Sequence, residues 1–299
     1  MSHNAAYFTA DFVLPEIIAR AMRYPPSAQR VLPLLKHHLE QTDSSIYQIV
    51  DLIRLDPGIS ARVLQIGNSR PYARNHHRCS SIEMAVQRIG FDLIYEIVVN
   101  AVAEQVLVQP LTAYALEADE LWNLSVSCAL AAELIAEMRG EDTRIAYTLG
   151  LLHGVGMVAI DQWLHRHQPT IGFFAKAFPR EYSESEQVLI GCTNAEVGAE
   201  LLRGWDFPFE ISEPLRCQYN PLDSLEHQQL SSLLYAAKWV RSRVCFDDHR
   251  RPEAPEESRL APIDLNVFEL ENLALQVRDR LDQVKRDLAV GDDPQPFAA

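Results

Sequence analysis

Apolar positions along the chain recur with the spacing of α-helices, and no segment shows a convincing strand alternation. Ile46, Ile49, Val50 and Ile53 lie at i, i+3, i+4 and i+7, which places them on one face of a helix. Similar helical patterns follow through the rest of the chain and are separated by glycine and proline. We therefore predict an all-α protein.

Residues with known preferences for helix ends predict where several of these helices begin and end. Asp56 followed by Pro57 is typical of an N-cap and a first helical residue, and the helix is predicted to run to about Asn68. Gly90 and Gly140 follow apolar stretches and predict helix C-termini. In a capping box, a Ser or Thr oxygen and a carboxylate three residues later both bond to backbone N–H groups. Three such boxes are predicted: Ser80–Glu83, Ser183–Glu186 and Thr193–Glu196.

Breaks in the helical pattern divide the chain into two lobes, with a seam near Pro110. Residues 1–29 are predicted to form an N-terminal extension, residues 30–110 a first helical lobe, and residues 111–246 a second lobe. The stretch 247–262 is charged and contains three prolines, which predicts a linker or exposed loop. A C-terminal helix and a disordered tail complete the predicted region 247–299.

Composition narrows the possible environments and partners. The 299 residues include 27 basic and 41 acidic side chains, a net charge of -14. This charge argues against nucleic acid and anionic membranes as general partners, because both require a basic face. The longest apolar stretch without charge, Ile145–Ile160, is shorter than the roughly 20 residues of a membrane span. The first residues lack the pattern of a secretion signal, and the five cysteines are scattered without a CxxC motif. We expect a cytoplasmic protein with reduced thiols and no membrane partner.

Several segments, in a consistent order and spacing over about residues 30–245, resemble one family. They are Leu55–Ser69, Ser81–Gly90, Leu121–Ser125, Gly150–Met157 and Glu196–Trp205. Together they resemble the HDOD domain (HD-related output domain) of bacterial signalling proteins. The resemblance implies an all-helical, two-lobed fold with an N-terminal helical lobe and an HD-like second lobe, and it implies a role in signal transduction.

The stretch Gly150–Met157 also resembles the "GLLHDIGK" motif of the HD superfamily, whose hydrolases hold metal ions through several His and Asp side chains. The resemblance places His153 at the histidine of the His-Asp pair and Gly154 at its aspartate. It places Leu124, Asn194 and Gln218 where active relatives supply further ligands. One imidazole holds a catalytic divalent ion poorly. We therefore predict a degenerate site with no metal and no cofactor, in which His153 is a core histidine bonded to a backbone carbonyl.

An alternative is a metal-dependent phosphohydrolase or phosphodiesterase with a relocated metal site. Asp161, His165 and His167 could supply substitute ligands. However, His165 and His167 are two residues apart, so on a helix their side chains would point away from each other.

Two surfaces are candidates for binding. The first is a loop with an unusual concentration of cationic and aromatic residues, namely Arg70, Tyr72, Arg74, His76, His77 and Arg78. Arginine forks bind phosphates and carboxylates in a bidentate manner, so this loop could bind an anion or an acidic partner. The alternative is a solvated loop between helices. The second surface is an apolar stripe close to a coiled-coil seam, formed by Leu270, Leu273, Val277, Leu281, Val284 and Leu288. This stripe could pack on its own domain, pair with a helix of a partner protein, or pair with a second copy in a homodimer.

These observations predict a non-catalytic regulatory protein of a bacterial signalling pathway. It would act by binding a partner protein, with an enzyme of cyclic-nucleotide signalling as one candidate, or by binding a small anionic signal. Binding would change the packing of the two lobes near Pro110.

Overall fold

A computed structural model describes residues 10–21, 46–69, 72, 78–90, 93–94, 110–167, 174, 182–248 and 250–291. Regular structure in these ranges is helical, apart from one isolated antiparallel bridge between Leu111 and Leu116. The predicted all-α class is therefore confirmed. The α-helices are α1 (Ala10–Ala21), α2 (Ile46–Arg54), α3 (Pro57–Asn68), α4 (Ile82–Ile89), α5 (Ala118–Arg139), α6 (Thr143–Leu152), α7 (Val155–His167), α8 (Tyr182–Ile190), α9 (Asn194–Gly204), α10 (Phe209–Arg216), α11 (Gln228–Cys245), α12 (Glu257–Leu260) and α13 (Val267–Gly291).

The first lobe contains α2, α3 and α4, which pack against one another. Asp56 caps α3 as predicted, because its side chain accepts the Ile59 N–H at 2.9 Å. The predicted capping box from Ser80 to Glu83 is wrong. Ser81 is the N-cap of α4, so the third helical residue is Met84, which cannot return a hydrogen bond from its side chain.

The second lobe is built around α5, which contacts α6, α11 and α13. Gly140 ends this helix in the left-handed conformation, as predicted, with a φ of 73°. Helix α6 lies so close to α5 that a Cβ atom on Gly150 would come within 2.7 Å of the Cys128 carbonyl oxygen. The predicted capping box at Thr193 and Glu196 is confirmed. The core of this lobe is therefore a set of closely packed helices.

The first and last described helices, α1 and α13, both pack on the second lobe. Helix α1 was not foreseen in the sequence; it buries Val13, Ile17 and Ala21 and packs on α7 and α9. Helix α13 packs on α11 and α5, and four of the six residues of its apolar stripe are buried there: Leu270, Leu273, Val277 and Leu281. This part of the stripe therefore packs on its own domain, and a homodimer through α13 stays a prediction that would need another face of the helix.

The described part of residues 247–262 is mostly irregular and exposed. It includes the short helix α12, in which Leu260 is buried, and Ile263 is buried in the turn that follows. The Trp239 indole N–H donates to the Glu253 carbonyl oxygen at 2.9 Å, which fixes the segment on α11. Leu260 and Ile263 belong to the hydrophobic core, which holds this end of the segment on the second lobe.

Arg54, at the end of α2, joins the two lobes. Its guanidinium bonds to Glu133 of α5 and lies 3.8 Å from the Glu83 carboxylate of α4. It also stacks over the Tyr147 ring of α6, 4.1 Å from the ring centroid. The Tyr147 hydroxyl donates to the Arg54 carbonyl oxygen, and the Trp122 indole N–H donates to the Leu55 carbonyl oxygen, each at 2.9 Å. Backbone and side chain of α2 are therefore both anchored in the second lobe.

Two helical stretches, Asp119–Arg139 and Thr143–Arg166, are long and apolar enough to cross a membrane by those criteria alone. They lie mostly inside the protein, with 72% and 83% of their apolar windows buried, and the core helices of soluble proteins meet the same criteria. The second stretch also contains the turn at His153 and Gly154, between α6 and α7. These stretches are thus weak evidence for a membrane span.

Candidate functional site

His153 lies in the two-residue turn between α6 and α7, and its side chain is buried. Its Nδ1 atom is 2.6 Å from the Gly150 carbonyl oxygen. Because a carbonyl can only accept, Nδ1 carries the proton and Nε2 keeps its lone pair. Burial, followed by the positive charges of Arg241 and Lys238, holds the pKa of His153 well below its ordinary value of 6.5. The imidazole is therefore neutral, and its bond to a backbone carbonyl is the one predicted from the sequence.

The turn itself brings α7 very close to α9. A Cβ atom on Gly156 would lie 1.9 Å from the Asn194 carbonyl oxygen, so only glycine fits there. At Gly154, in contrast, a Cβ atom would meet only Leu121 Cδ1, at 3.6 Å, which is ordinary van der Waals contact. Position 154 therefore has room for a Cβ atom, whereas position 156 does not.

The other positions of the predicted degenerate site supply few groups that could hold a metal. Leu124 is a buried apolar residue of α5, and Gly154 has no side chain. The Asn194 amide donates to the Glu186 carboxylate and to the Tyr219 hydroxyl, each at 2.8 Å. The Gln218 amide donates to the His153 carbonyl oxygen at 3.3 Å, and its Oε1 has no hydrogen-bond partner among the described residues.

A hydrolytic metal centre takes at least three protein ligands, commonly with a carboxylate among them. The five positions bring the His153 imidazole and neutral amides, without a carboxylate. Nor do the described parts of the chain contain a group of three or more His, Cys, Asp or Glu side chains that could hold a metal ion. This donor set does not fit the metal centre of an HD hydrolase.

A buried polar cluster lies next to these positions, and its centre is Glu186 of α8. The Tyr114 hydroxyl donates to Glu186 Oε1 at 2.5 Å, and the Asn194 backbone N–H donates to Oε2 at 2.6 Å. Tyr219 accepts from Asn194 on one side and receives the Lys238 ammonium over its ring, 3.3 Å from the centroid. We call Tyr114, Glu186, Asn194, Tyr219 and Lys238 the Glu186 cluster.

Electrostatics in the Glu186 cluster oppose the binding of a further cation. Burial raises the pKa of Glu186 to about 7, while the bonds from Tyr114 and Asn194 and the charge of Lys238 lower it. Lys238 and Arg241 also act on His153. Their positive charges would therefore also disfavour a divalent metal ion at His153.

The predicted capping box at Ser183 and Glu186 is wrong, and the reason is this cluster. Ser183 lies inside α8, and the Glu186 carboxylate points into the core rather than back to the start of its helix. Sequence reasoning missed the cluster. A usable signal was Lys238, which stands in the otherwise apolar stretch of α11 before Trp239 and Val240. A charged residue on a buried helix face requires a partner.

The alternative ligands on α7 are only partly brought together. Asp161 is buried and accepts the Ala113 N–H at 2.7 Å, which ties α7 to the segment after Pro110. Burial raises the pKa of Asp161 to about 6. His165 is exposed one turn away, and the side chain of His167 lies outside the described residues. In the structure Asp161 therefore serves as a backbone anchor.

Only part of the candidate binding loop can be placed. Arg70, Arg74, His76 and His77 lie outside the described residues. Tyr72 is half-buried against the core.

Arg78 reaches the second lobe from the end of this loop. Its guanidinium pairs with Asp206 at 2.8 Å and donates to the Phe207 carbonyl oxygen at 3.3 Å. Asp206 has a φ of 61° and forms the tight turn between α9 and α10. One end of the loop is thus a contact between the lobes.

Comparison with known proteins agrees with this fold. A virulence factor from Campylobacter jejuni subsp. jejuni has a crystal structure that matches with a TM-score of 0.69 at 15% identity, over 90% of this chain and 96% of that one. The MmoQ response regulator from Methylococcus capsulatus str. Bath matches with a TM-score of 0.62 at 18% identity, over 84% of this chain and 97% of that one. At these identities the likeness concerns the fold alone.

Sequence comparison identifies the family. An uncharacterized protein of Treponema pallidum (strain Nichols) is 24% identical over 236 residues, which are 73% of this chain and 42% of that protein. The chain therefore spans less than half the length of this curated relative. The sequence pattern of the HDOD domain matches residues 25–221, about two thirds of the chain. The chain belongs to the HDOD domain family.

Proposed function

We propose that this HDOD protein is a non-catalytic regulator that acts by binding, within the signalling role of its family. The observation that carries the proposal is the donor set around His153. One neutral imidazole and the amides of Asn194 and Gln218 occupy the positions where HD hydrolases hold a metal, and both amides donate to groups of the protein itself. One imidazole and two amides are a weak ligand set for the divalent ion that would lower the pKa of a bound water molecule.

The Glu186 cluster supports the same proposal. It satisfies a buried carboxylate with hydrogen bonds from α9 and from the segment after Pro110. Through these contacts, side chains of the protein hold α8, α9 and α11 of the second lobe together. The cations Lys238 and Arg241 beside His153 supply positive charge at a place where a metal would supply it in a hydrolase.

Binding would act through the contacts between the lobes. Arg54 and Arg78 cross from the first lobe to the second, and Ala113 and Tyr114 anchor the connecting segment through Asp161 and Glu186. A small anion or acidic group at the candidate loop would compete with Asp206 for Arg78. Lobe packing would then respond to occupancy of the loop.

The first experiment separates regulator from hydrolase. The purified chain is incubated with Mn²⁺, Fe²⁺, Ni²⁺ or Zn²⁺, desalted, and analysed for bound metal and for hydrolysis of bis(p-nitrophenyl) phosphate. We expect no stoichiometric metal and no turnover above the blank. About one metal per chain, with turnover that disappears in His153→Ala, would establish the alternative of a metal-dependent phosphohydrolase or phosphodiesterase.

A second experiment concerns the partner. The full chain is used as bait in native cytosol, beside a variant with Arg70, Arg74 and Arg78 changed to alanine. We expect a partner protein, with an enzyme of cyclic-nucleotide signalling as a candidate, to be retained by the wild type and lost by the variant. Equal retention by both proteins would exclude the loop as the docking element.

A further inference from the structure

Exposed apolar side chains lie around the N-terminus of α11. The exposed fractions are 49% for Phe209, 42% for Leu222 and 90% for Leu225. The Phe209 ring lies 5.7 Å from the His227 ring, and the Gln228 amide donates to the Leu222 carbonyl oxygen at 3.4 Å. These contacts place the side chains around one helix end. We call Phe209, Leu222, Leu225 and His227 the apolar patch.

The backbone of the apolar patch is held in place from within the protein. The Leu225 N–H donates to Glu213 Oε1 at 2.9 Å, and Glu213 is itself buried. The His227 N–H donates to Ser224 Oγ at 3.2 Å, and the His227 carbonyl oxygen accepts from Ser231 Oγ at 2.9 Å. A leucine that is almost fully exposed on a fixed backbone loses little conformational freedom when a partner covers it.

Each apolar residue of the patch is followed in the chain by an acidic residue, and Arg78, which bonds to the Phe207 carbonyl oxygen, is already paired with Asp206. Glu210 follows Phe209, Asp223 follows Leu222, and Glu226 follows Leu225 in the chain. Arg216 is exposed at the opposite end of α10, two helical turns from Phe209. The patch is thus an apolar surface with an acidic rim, on a chain whose net charge is -14.

We infer that the apolar patch docks a basic amphipathic helix of the partner protein. This inference rests on the proposed function and deepens it. The apolar face of such a helix would cover Leu225 and Phe209, and its Lys or Arg side chains would meet Glu210, Asp223 and Glu226. The structure offers side chains around a helix end here rather than a strand edge, so a helix suits the surface better than an added strand.

Charge disfavours the other occupants of this surface. An anionic membrane would be repelled by the three rim carboxylates. A second copy of the chain in a twofold contact would bring two acidic rims face to face. A basic partner helix gains from the same charges. Docking at Phe209 would also occur three residues from Asp206, which pairs with Arg78 of the first lobe, so it could influence the lobe contact.

The test uses a fluorescein-labelled synthetic peptide of leucine and lysine in amphipathic helical spacing, and fluorescence anisotropy with the full chain. We expect Leu225→Ser to weaken binding about tenfold or more, as for a central apolar contact of an interface. Leu275→Ser is the matched control, because Leu275 is 59% exposed on α13, outside the patch. It should leave the dissociation constant within about twofold. A peptide with glutamate in place of lysine should bind at least about tenfold more weakly.

Several outcomes would overturn the inference. Equal weakening by Leu225→Ser and Leu275→Ser, or equal binding of the two peptides, would show that the patch does not select a basic helix. Self-association in sedimentation velocity that Leu225→Ser abolishes, without peptide binding, would assign the patch to a second copy of the chain. If the peptide test fails while the chain binds no metal and shows no phosphoesterase turnover, only the docking surface is refuted. Metal-dependent turnover would instead refute the proposed function itself.

Discussion

The close contact between α7 and α9 predicts a large difference between two neighbouring glycines, Gly154 and Gly156. A Cβ atom added at Gly156 would lie 1.9 Å from the Asn194 carbonyl oxygen and 2.8 Å from the Gly198 nitrogen. Both are backbone atoms, so the start of α7 would have to move away from α9. At Gly154 the added Cβ would lie 3.6 Å from the end of the Leu121 side chain. Gly156→Ala and Gly154→Ala therefore form a matched pair.

The expected magnitude follows from two opposing contributions. Overpacking against a backbone atom belongs at the upper end of the usual range, about 3 kcal/mol. Alanine in place of glycine in a helix returns up to about 1 kcal/mol. Gly156→Ala should then lower the free energy of unfolding by about 2 kcal/mol, which is roughly 4 °C in Tm for a chain of this length. Gly154→Ala should change it by less than about 1 kcal/mol.

Urea denaturation of the two variants and the wild type, followed by circular dichroism at 222 nm (a helix signal), measures this difference. Near-UV spectra report whether the packing around Trp163 and Trp205 is retained. If Gly156→Ala were as stable as the wild type, or if Gly154→Ala were the more damaging variant, the close approach of α7 and α9 would be wrong.

Three further predictions concern buried charges and the positions of the predicted degenerate site. Burial raises the pKa values of Glu186 and Asp161 to about 7 and about 6, so the native state holds these protons more tightly than the unfolded chain. The contribution of these protonated carboxyl groups to stability is present below roughly pH 4 and is lost as the pH rises through the two native pKa values. The free energy of unfolding of the wild type, measured relative to Glu186→Gln, should therefore fall by about 2 to 4 kcal/mol between roughly pH 4 and roughly pH 8. A difference that stays constant with pH would refute this. Arg54→Met removes the ion pair with Glu133 at the lobe contact and should lower the free energy of unfolding, measured by urea denaturation, by about 2 kcal/mol. The control Arg144→Met, at an exposed pair with Asp142, should lower it by less than about 0.5 kcal/mol. Equal losses would contradict the role of Arg54. Gly154→Asp should fold normally yet bind no stoichiometric Mn²⁺ or Zn²⁺ in elemental analysis, because Leu124, Asn194 and Gln218 still supply no anionic ligand; bound metal in this variant would show that one carboxylate is enough.

Helix existence and most helix ends were predictable because their causes are local. Asp56 with Pro57, Gly140, and Thr193 with Glu196 satisfy or replace backbone groups of their own helices, and the structure confirms each of them. Ser80 and Ser183 matched the same pattern but failed. A sequence pattern does not reveal which of two serines begins a helix, or whether a glutamate has a stronger partner elsewhere in the fold.

By itself the sequence determined the all-α class and the family, and it carries the prediction of a degenerate metal site at His153, Gly154, Leu124, Asn194 and Gln218. These properties depend on which residue types stand at which spacing, and a leucine or glycine has no ligand to offer in any conformation. Only the tertiary structure decided where the stripe of α13 packs, that Arg78 pairs across the lobes with Asp206, and that Glu186 lies at the centre of a buried cluster. These contacts join side chains far apart in the chain, and their strength comes from the exclusion of water, which local sequence does not encode.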